Sequence, residues 1–144
     1  MPVNPTVRKL FSRTHTFWYR LSGGRLGSSM RGVPILLLTT TGRKSGQERT
    51  TPLQGIEDGD NIVVIASNGG HTTDPQWWLN LKANPQARVL IKNQERIVIA
   101  SEAHNGERER IWQKALSQFP GYADYEKTAQ RPIPVVVLTP ASDL

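Results

Sequence analysis

No apolar run in this chain is longer than a β-strand. The longest, residues 34–38, 62–66 and 135–138, fall far short of the roughly 18 residues that a membrane-spanning helix needs. Six segments are rich in β-branched residues and separated by turns such as Asp58-Gly59 and Lys92-Asn93: residues 35–40, 49–56, 61–67, 88–92, 96–103 and 133–138. They read as about six strands. Two helices are expected between them. One opens with Asp74 as N-cap and Pro75 at its first position, runs through WWLNLKA and stops near Asn84-Pro85. The other begins about Asn105 and turns Ile111, Trp112, Ala115, Leu116 and Phe119 toward the core. Mostly antiparallel strands with helices inserted at fixed points predict an α+β barrel; the GxGxxG of a dinucleotide fold is absent.

Ahead of the strands, Val7, Leu10, Phe11, Trp18 and Leu21 recur at helical spacing among Arg8, Lys9, Arg13 and Arg20. Residues 5–21 are therefore expected to form a basic amphipathic helix, packed on the body through its apolar stripe or touching a membrane surface or partner. Residues 22–32, SGGRLGSSMRG, read as a flexible connector. The expected organisation is an N-terminal segment at 1–32 followed by one domain at 33–144, long enough to bury its own core.

The chain has no cysteine, so thiolate nucleophiles and thiolate metal centres are excluded. Its three histidines lie far apart, without metal-ligand spacing, and no GxSxG elbow is present. No metal site is expected. Any redox chemistry must ride on a bound organic cofactor. The net charge of +6 is concentrated: residues 1–56 hold nine Lys or Arg and a single acid, Glu48. Such a field gathers anions, whether nucleic acid, anionic lipid or a phosphorylated or polycarboxylate small molecule. The opening stretch MPVNPTVRKLFSR has no secretory apolar core, so a cytoplasmic location is expected.

Four motifs can carry chemistry. In TTTGRKSGQER, the glycines around Lys44 and Ser45 offer backbone N–H groups, an ammonium and a hydroxyl to one anion, with Arg43 and Arg49 beside them; the bland alternative is a solvated basic turn. The small residues Ala66, Ser67, Asn68, Gly69 and Gly70 close an apolar strand and let a flat ring approach the backbone, unless they form only a strand-to-helix turn. Adjacent Trp77 and Trp78 point about 100° apart on a helix, so one can enter the core while the other lines a pocket, unless both pack in the core. Phe119, Tyr122 and Tyr125, at i, i+3 and i+6, would stack a planar substrate or fill the core.

TTTGRKSGQERTTPL, IVVIASNGG, DPQWWLNLKANPQARV and FPGYADYEKTAQRPIPVVVLTP, in this order, resemble the deazaflavin-dependent nitroreductase family, also described as deazaflavin-dependent quinone reductases. The likeness covers residues 33–140. It implies a split β-barrel of the flavin-mononucleotide-binding type and the reduced deazaflavin coenzyme F-420, with hydride transfer to a quinone or nitroaromatic acceptor. By the family pattern, Arg43, Lys44, Ser45, Gly46 and Arg49 meet the phosphate, and Pro52, Ala66, Ser67, Asn68 and Gly69 lie against the ring and its ribityl chain. Pro75, Trp77, Trp78 and Asn80 close the same pocket. Ser67 and Tyr122 or Tyr125 are the expected donors to the acceptor oxygen. Gln54 and Phe119 stand where nitroimidazole-reducing relatives carry tyrosines, which disfavours bulky nitroimidazoles and leaves quinones. The basic segment at 5–21 would suit peripheral contact with the inner face of the plasma membrane. Two alternatives stay open: a split barrel that binds flavin mononucleotide or deazaflavin without this turnover, and a basic nucleic-acid module. The second accounts for neither the GRKSG turn nor the tryptophan helix, so nucleic acid is not expected as a partner.

Overall fold

The computed structural model describes residues 29–30 and 33–141. The expected helix at 5–21 and most of the connector at 22–32 lie outside the described residues. Within them the strands are β1 Ser29–Met30, β2 Val33–Thr41, β3 Glu48–Gln54, β4 Ile56–Asp58, β5 Asn61–Ile65, β6 Gln86–Ile91, β7 Gln94–Glu102 and β8 Val135–Pro140. The helices are α1 Gln76–Ala83, α2 Asn105–Gln118 and α3 Tyr122–Ala129, with a 3-10 turn at Asn68–Gly70. All strand pairs are antiparallel, in the order β1-β2-β6-β7-β8-β5-β4, and β3 pairs with β2 off that path. The sheet curls into the expected α+β split barrel.

Alternation explains how such short runs build two cores. Ile62 and Val64 of β5 and Val136 and Leu138 of β8 face the barrel interior, joined there by Leu36, Leu38, Val89, Val98 and, from α1, Trp77, Trp78 and Leu81. The intervening Val63, Ile65, Val135 and Val137 face outward and are covered by Ile111, Trp112 and Ala115 of α2 and by Tyr122 and Ala129 of α3. With both faces buried, β5 and β8 read as unbroken apolar runs.

Three local expectations are corrected. The strand expected at 49–56 divides at Gly55: β3 stays paired to β2 as far as Ile35 opposite Gln54, and β4 crosses to pair with β5. A Cβ at Gly55 would sit 2.8 Å from Leu36 Cδ2, so the crossing needs a residue without a side chain. The N-cap of α1 is Pro75 rather than Asp74, whose carboxylate instead accepts a hydrogen bond from Arg131 Nη1 at 2.8 Å. A third helix, α3, joins the two that were expected. Its start is fixed by Tyr122 N–H to Phe119 O (3.2 Å) and Ala123 N–H to Pro120 O (3.1 Å), so the Pro120-Gly121 turn begins a helix.

Candidate active site

The turn at residues 42–47 links β2 to β3. It is closed by Gly42 N–H to Gln47 O (2.7 Å) and Gly46 N–H to Gly42 O (2.8 Å), and the Ser45 hydroxyl accepts from Gln47 N–H at 3.1 Å. Asn80 of α1, only 4% exposed, clamps this turn from the side. Its Oδ1 accepts from the Arg43 backbone N–H (3.1 Å) and guanidinium (3.0 Å), while its Nδ2 donates to Thr40 Oγ1 at 3.2 Å. A buried amide with its polar ends satisfied rigidifies what it touches. Hairpin and helix are thus locked together.

Between them lies a cleft of about 420 Å³. Arg43, Lys44, Ser45, Arg49, Thr50 and Thr51 line it from the hairpin, and Gln76, Trp77 and Asn80 from α1. Three cations, several hydroxyls and no acidic side chain form a donor set that fits a phosphate. Four of the five predicted phosphate residues, Arg43, Lys44, Ser45 and Arg49, therefore share one cleft, with Trp77 and Asn80. Gly46, in the same turn, does not line it, and neither does Pro52 in β3. Trp77 touches the cleft, whereas Trp78 lies in the core with Lys82 Nζ 5.8 Å from its ring centre. Pro75 is buried at the start of α1.

The second predicted group forms the loop after β5. Ala66 is fully buried with its N–H on Pro134 O at 3.0 Å, and Ser67 is nearly so. Asn68 and Gly69 follow with left-handed backbones, and Asn68 Nδ2 donates to Thr73 O at 3.0 Å. Gly70 has φ +83°, and a Cβ there would collide with the Thr128 hydroxyl of α3, so both backbone and space demand glycine.

One residue of this region is absent from the sequence-based candidates. Arg131, just after α3, donates to Ala66 O (3.3 Å), Ser67 O (3.2 Å), His71 O (3.2 Å) and Thr73 O (3.0 Å), and pairs with Asp74. The only sequence signal was an arginine between a helix end and Pro132. Nothing local names its partners, which lie 57 or more residues away.

At the far end of β3 the third group assembles. The Phe119 and Tyr122 ring centres are 4.9 Å apart, edge to face; Tyr125 lies 6.1 Å from Phe119 and 6.3 Å from Tyr122. Phe119 is the C-cap of α2 rather than part of α3, yet the three rings meet as their spacing predicted. Tyr122 is buried, and its hydroxyl donates to Gln54 Oε1 at 3.3 Å. Burial, reinforced by the neighbouring Tyr125, pushes its pKa up to about 12. Gln54, Phe119, Tyr122 and Tyr125 are thus one cluster. Along β3 the cluster and Arg49 are separated by about 17 Å, at ~3.3 Å per residue.

Among the described residues no helix is long and apolar enough to cross a membrane, and no three His, Asp or Glu side chains group as metal ligands would.

The sequence model of the family described as F420H(2)-dependent quinone reductase matches residues 11–140. An F420H(2)-dependent quinone reductase of Mycobacterium tuberculosis is 40% identical over 131 residues, 88% of each chain. Among solved structures, an F420-H2 dependent reductase superposes with a TM-score of 0.68 at 39% identity, over 73% of this chain and 93% of that one. A domain-swapped dimer gives the same TM-score at 36% identity, covering 85% and 98%.

Proposed function

The chain belongs to the F420H(2)-dependent quinone reductase family, and from that premise we infer that it transfers a hydride from reduced coenzyme F-420 to a quinone. The observation that carries the reading is the polarity of β3. A cationic cleft free of acids stands at its start and an aromatic cluster at its end. An elongated ligand with a phosphate and a flat ring matches that polarity.

Bound there, the reduced deazaflavin supplies the hydride. The protein's own work is positioning and shielding. Lys44 and Arg49 neutralise the phosphate; Asn80 holds Arg43 and the turn in place beforehand. The backbone at 66–69 backs the ring, and Trp77 closes the cleft wall. Phe119 and Tyr125 give the acceptor an apolar seat that excludes water. Ser67 and Tyr125 donate hydrogen bonds to the acceptor oxygen. Tyr122, expected as a donor from the family pattern, has its hydroxyl engaged with Gln54 and holds its proton throughout the neutral range, so it acts as wall and brace. Nitroaromatics are the second acceptor class; Phe119 brings no hydroxyl and Gln54 is occupied by Tyr122, which favours the quinone. The amphipathic pattern of residues 5–21 supports contact with an anionic membrane surface carrying lipid quinones.

The test is anaerobic mixing of the protein with reduced F-420 and menadione, following the return of the oxidised cofactor's visible absorbance. Protein-dependent return is expected. Tight cofactor binding without return would make the chain a carrier and overturn the reading.

A further inference from the structure

Arg131 makes six polar contacts, and five of them converge on one segment, residues 66–74. Its Nη2 reaches the carbonyls of Ala66, Ser67 and Thr73, its Nε reaches His71 O, and its Nη1 reaches Asp74 and Pro132 O at 3.4 Å. Its side chain is 13% exposed and Asp74 27%. Six acceptors surround five N–H donors, so the guanidinium has none left for a ligand. The fork spans both ends of the loop at 66–74. Asp74 immediately precedes Pro75, the N-cap of α1, the helix that brings Trp77 and Asn80 to the cleft. Arg131 itself follows Gln130, the left-handed C-cap of α3, whose Tyr125 belongs to the aromatic cluster. One cation therefore joins the loop, the cleft helix and the aromatic helix.

We propose that Arg131 is the positioning residue for hydride transfer: with Asp74 as counter-ion, it fixes the loop at 66–70 and the start of α1 relative to α3. This sets the distance and angle between cofactor ring and acceptor without touching either. The proposal rests on the quinone-reductase reading above. It differs from the roles given to Lys44 and Arg49, because none of the hydrogen bonds of Arg131 goes to the 42–47 turn. Its loss is a loss of alignment rather than of phosphate binding. Lysine cannot replace it, since one ammonium cannot span carbonyls at both loop ends.

The test compares Arg131→Lys and Asp74→Asn with the unaltered chain, in cofactor titration and in menadione reduction at saturating F-420. Turnover per folded molecule is expected to fall by at least about tenfold in Arg131→Lys, the scale of misplacing reacting groups by a fraction of an ångström. The affinity for F-420 should fall by clearly less than turnover does, because Lys44, Arg49 and the Asn80 clamp on the 42–47 turn are unaltered. Asp74→Asn should lower turnover in the same sense and less, and adding it to Arg131→Lys should do little more, since the two act as a unit. Turnover unchanged in both variants overturns the proposal, as does an affinity loss as large as the turnover loss. If Arg131→Lys does not fold, Asp74→Asn decides alone. Absence of menadione reduction by the unaltered chain fails the functional reading instead.

Discussion

The two ends of β3 were built by opposite means. At the Arg49 end, exposed cations are arranged by backbone turns and by one buried amide, Asn80, which donates and accepts without carrying charge. At the Gln54 end, one buried ring, Tyr122, and two half-buried ones, Phe119 and Tyr125, are arranged by packing, and a single hydrogen bond, Tyr122 to Gln54, orients the buried one. On the proposed reading, the charged part of the ligand is caught where solvent can still reach it, and the acceptor meets rings that are at least half withdrawn from water.

The largest effect is expected at Asn80. Asn80→Ala leaves the Arg43 N–H and Thr40 hydroxyl without their partner and is expected to cost about 3 kcal/mol of stability by denaturant unfolding. F-420 affinity should weaken with it. Unchanged stability would remove the clamp from the account. Lys44→Ala comes next: it should leave folding alone and lower F-420 affinity by ~2 kcal/mol in calorimetry, with a shallower dependence on salt.

The aromatic end responds differently. Tyr122→Phe removes one partly buried hydrogen bond, about 1 kcal/mol of stability, and should change turnover more than cofactor affinity. The reverse pattern would move Tyr122 into the cofactor site. Its pH signature is alkaline. The phenol titrates near 10.0 when unfolded and near 12 in place, so its contribution is full below pH 10 and is lost as the pH rises toward 12. Tyr122→Phe should abolish that part of the alkaline loss in pH-dependent unfolding.

The smallest effect lies away from both ends. Asp58 is held at about 2 by its two hydrogen bonds from Arg110, with Lys114 assisting against the opposing burial. Its contribution is therefore full above the ordinary value of 3.8 and disappears as the pH falls toward 2. Asp58→Asn should flatten acid unfolding in that window and leave both turnover and F-420 binding unchanged. An effect on either would mean that the β4–β5 hairpin communicates with the site.

How much of this was legible beforehand follows from range. The strands could be read because alternation is local: Ile62 to Ile65 declare two buried faces within four residues. The GRKSG turn could be read because its glycines, lysine and serine are adjacent. The split at Gly55 could not, because the Leu36 and Ile62 side chains that press on it belong to other strands. Asp74 looked like a cap because its local context suits one; a guanidinium 57 residues later claimed it instead. Asn80 lines the cleft, but its clamp on Arg43 and Thr40 spans 37 and 40 residues and leaves no trace in spacing.

The central claim is that phosphate and ring lie at opposite ends of β3. A crystal structure of the chain with oxidised F-420 tests it most directly. The phosphate is expected within hydrogen-bonding distance of Lys44 and Arg49, and the ring against residues 66–69 with one face open toward Phe119 and Tyr125. A phosphate bound away from the 42–47 turn, or a ring buried with no open face toward the aromatic cluster, would contradict it.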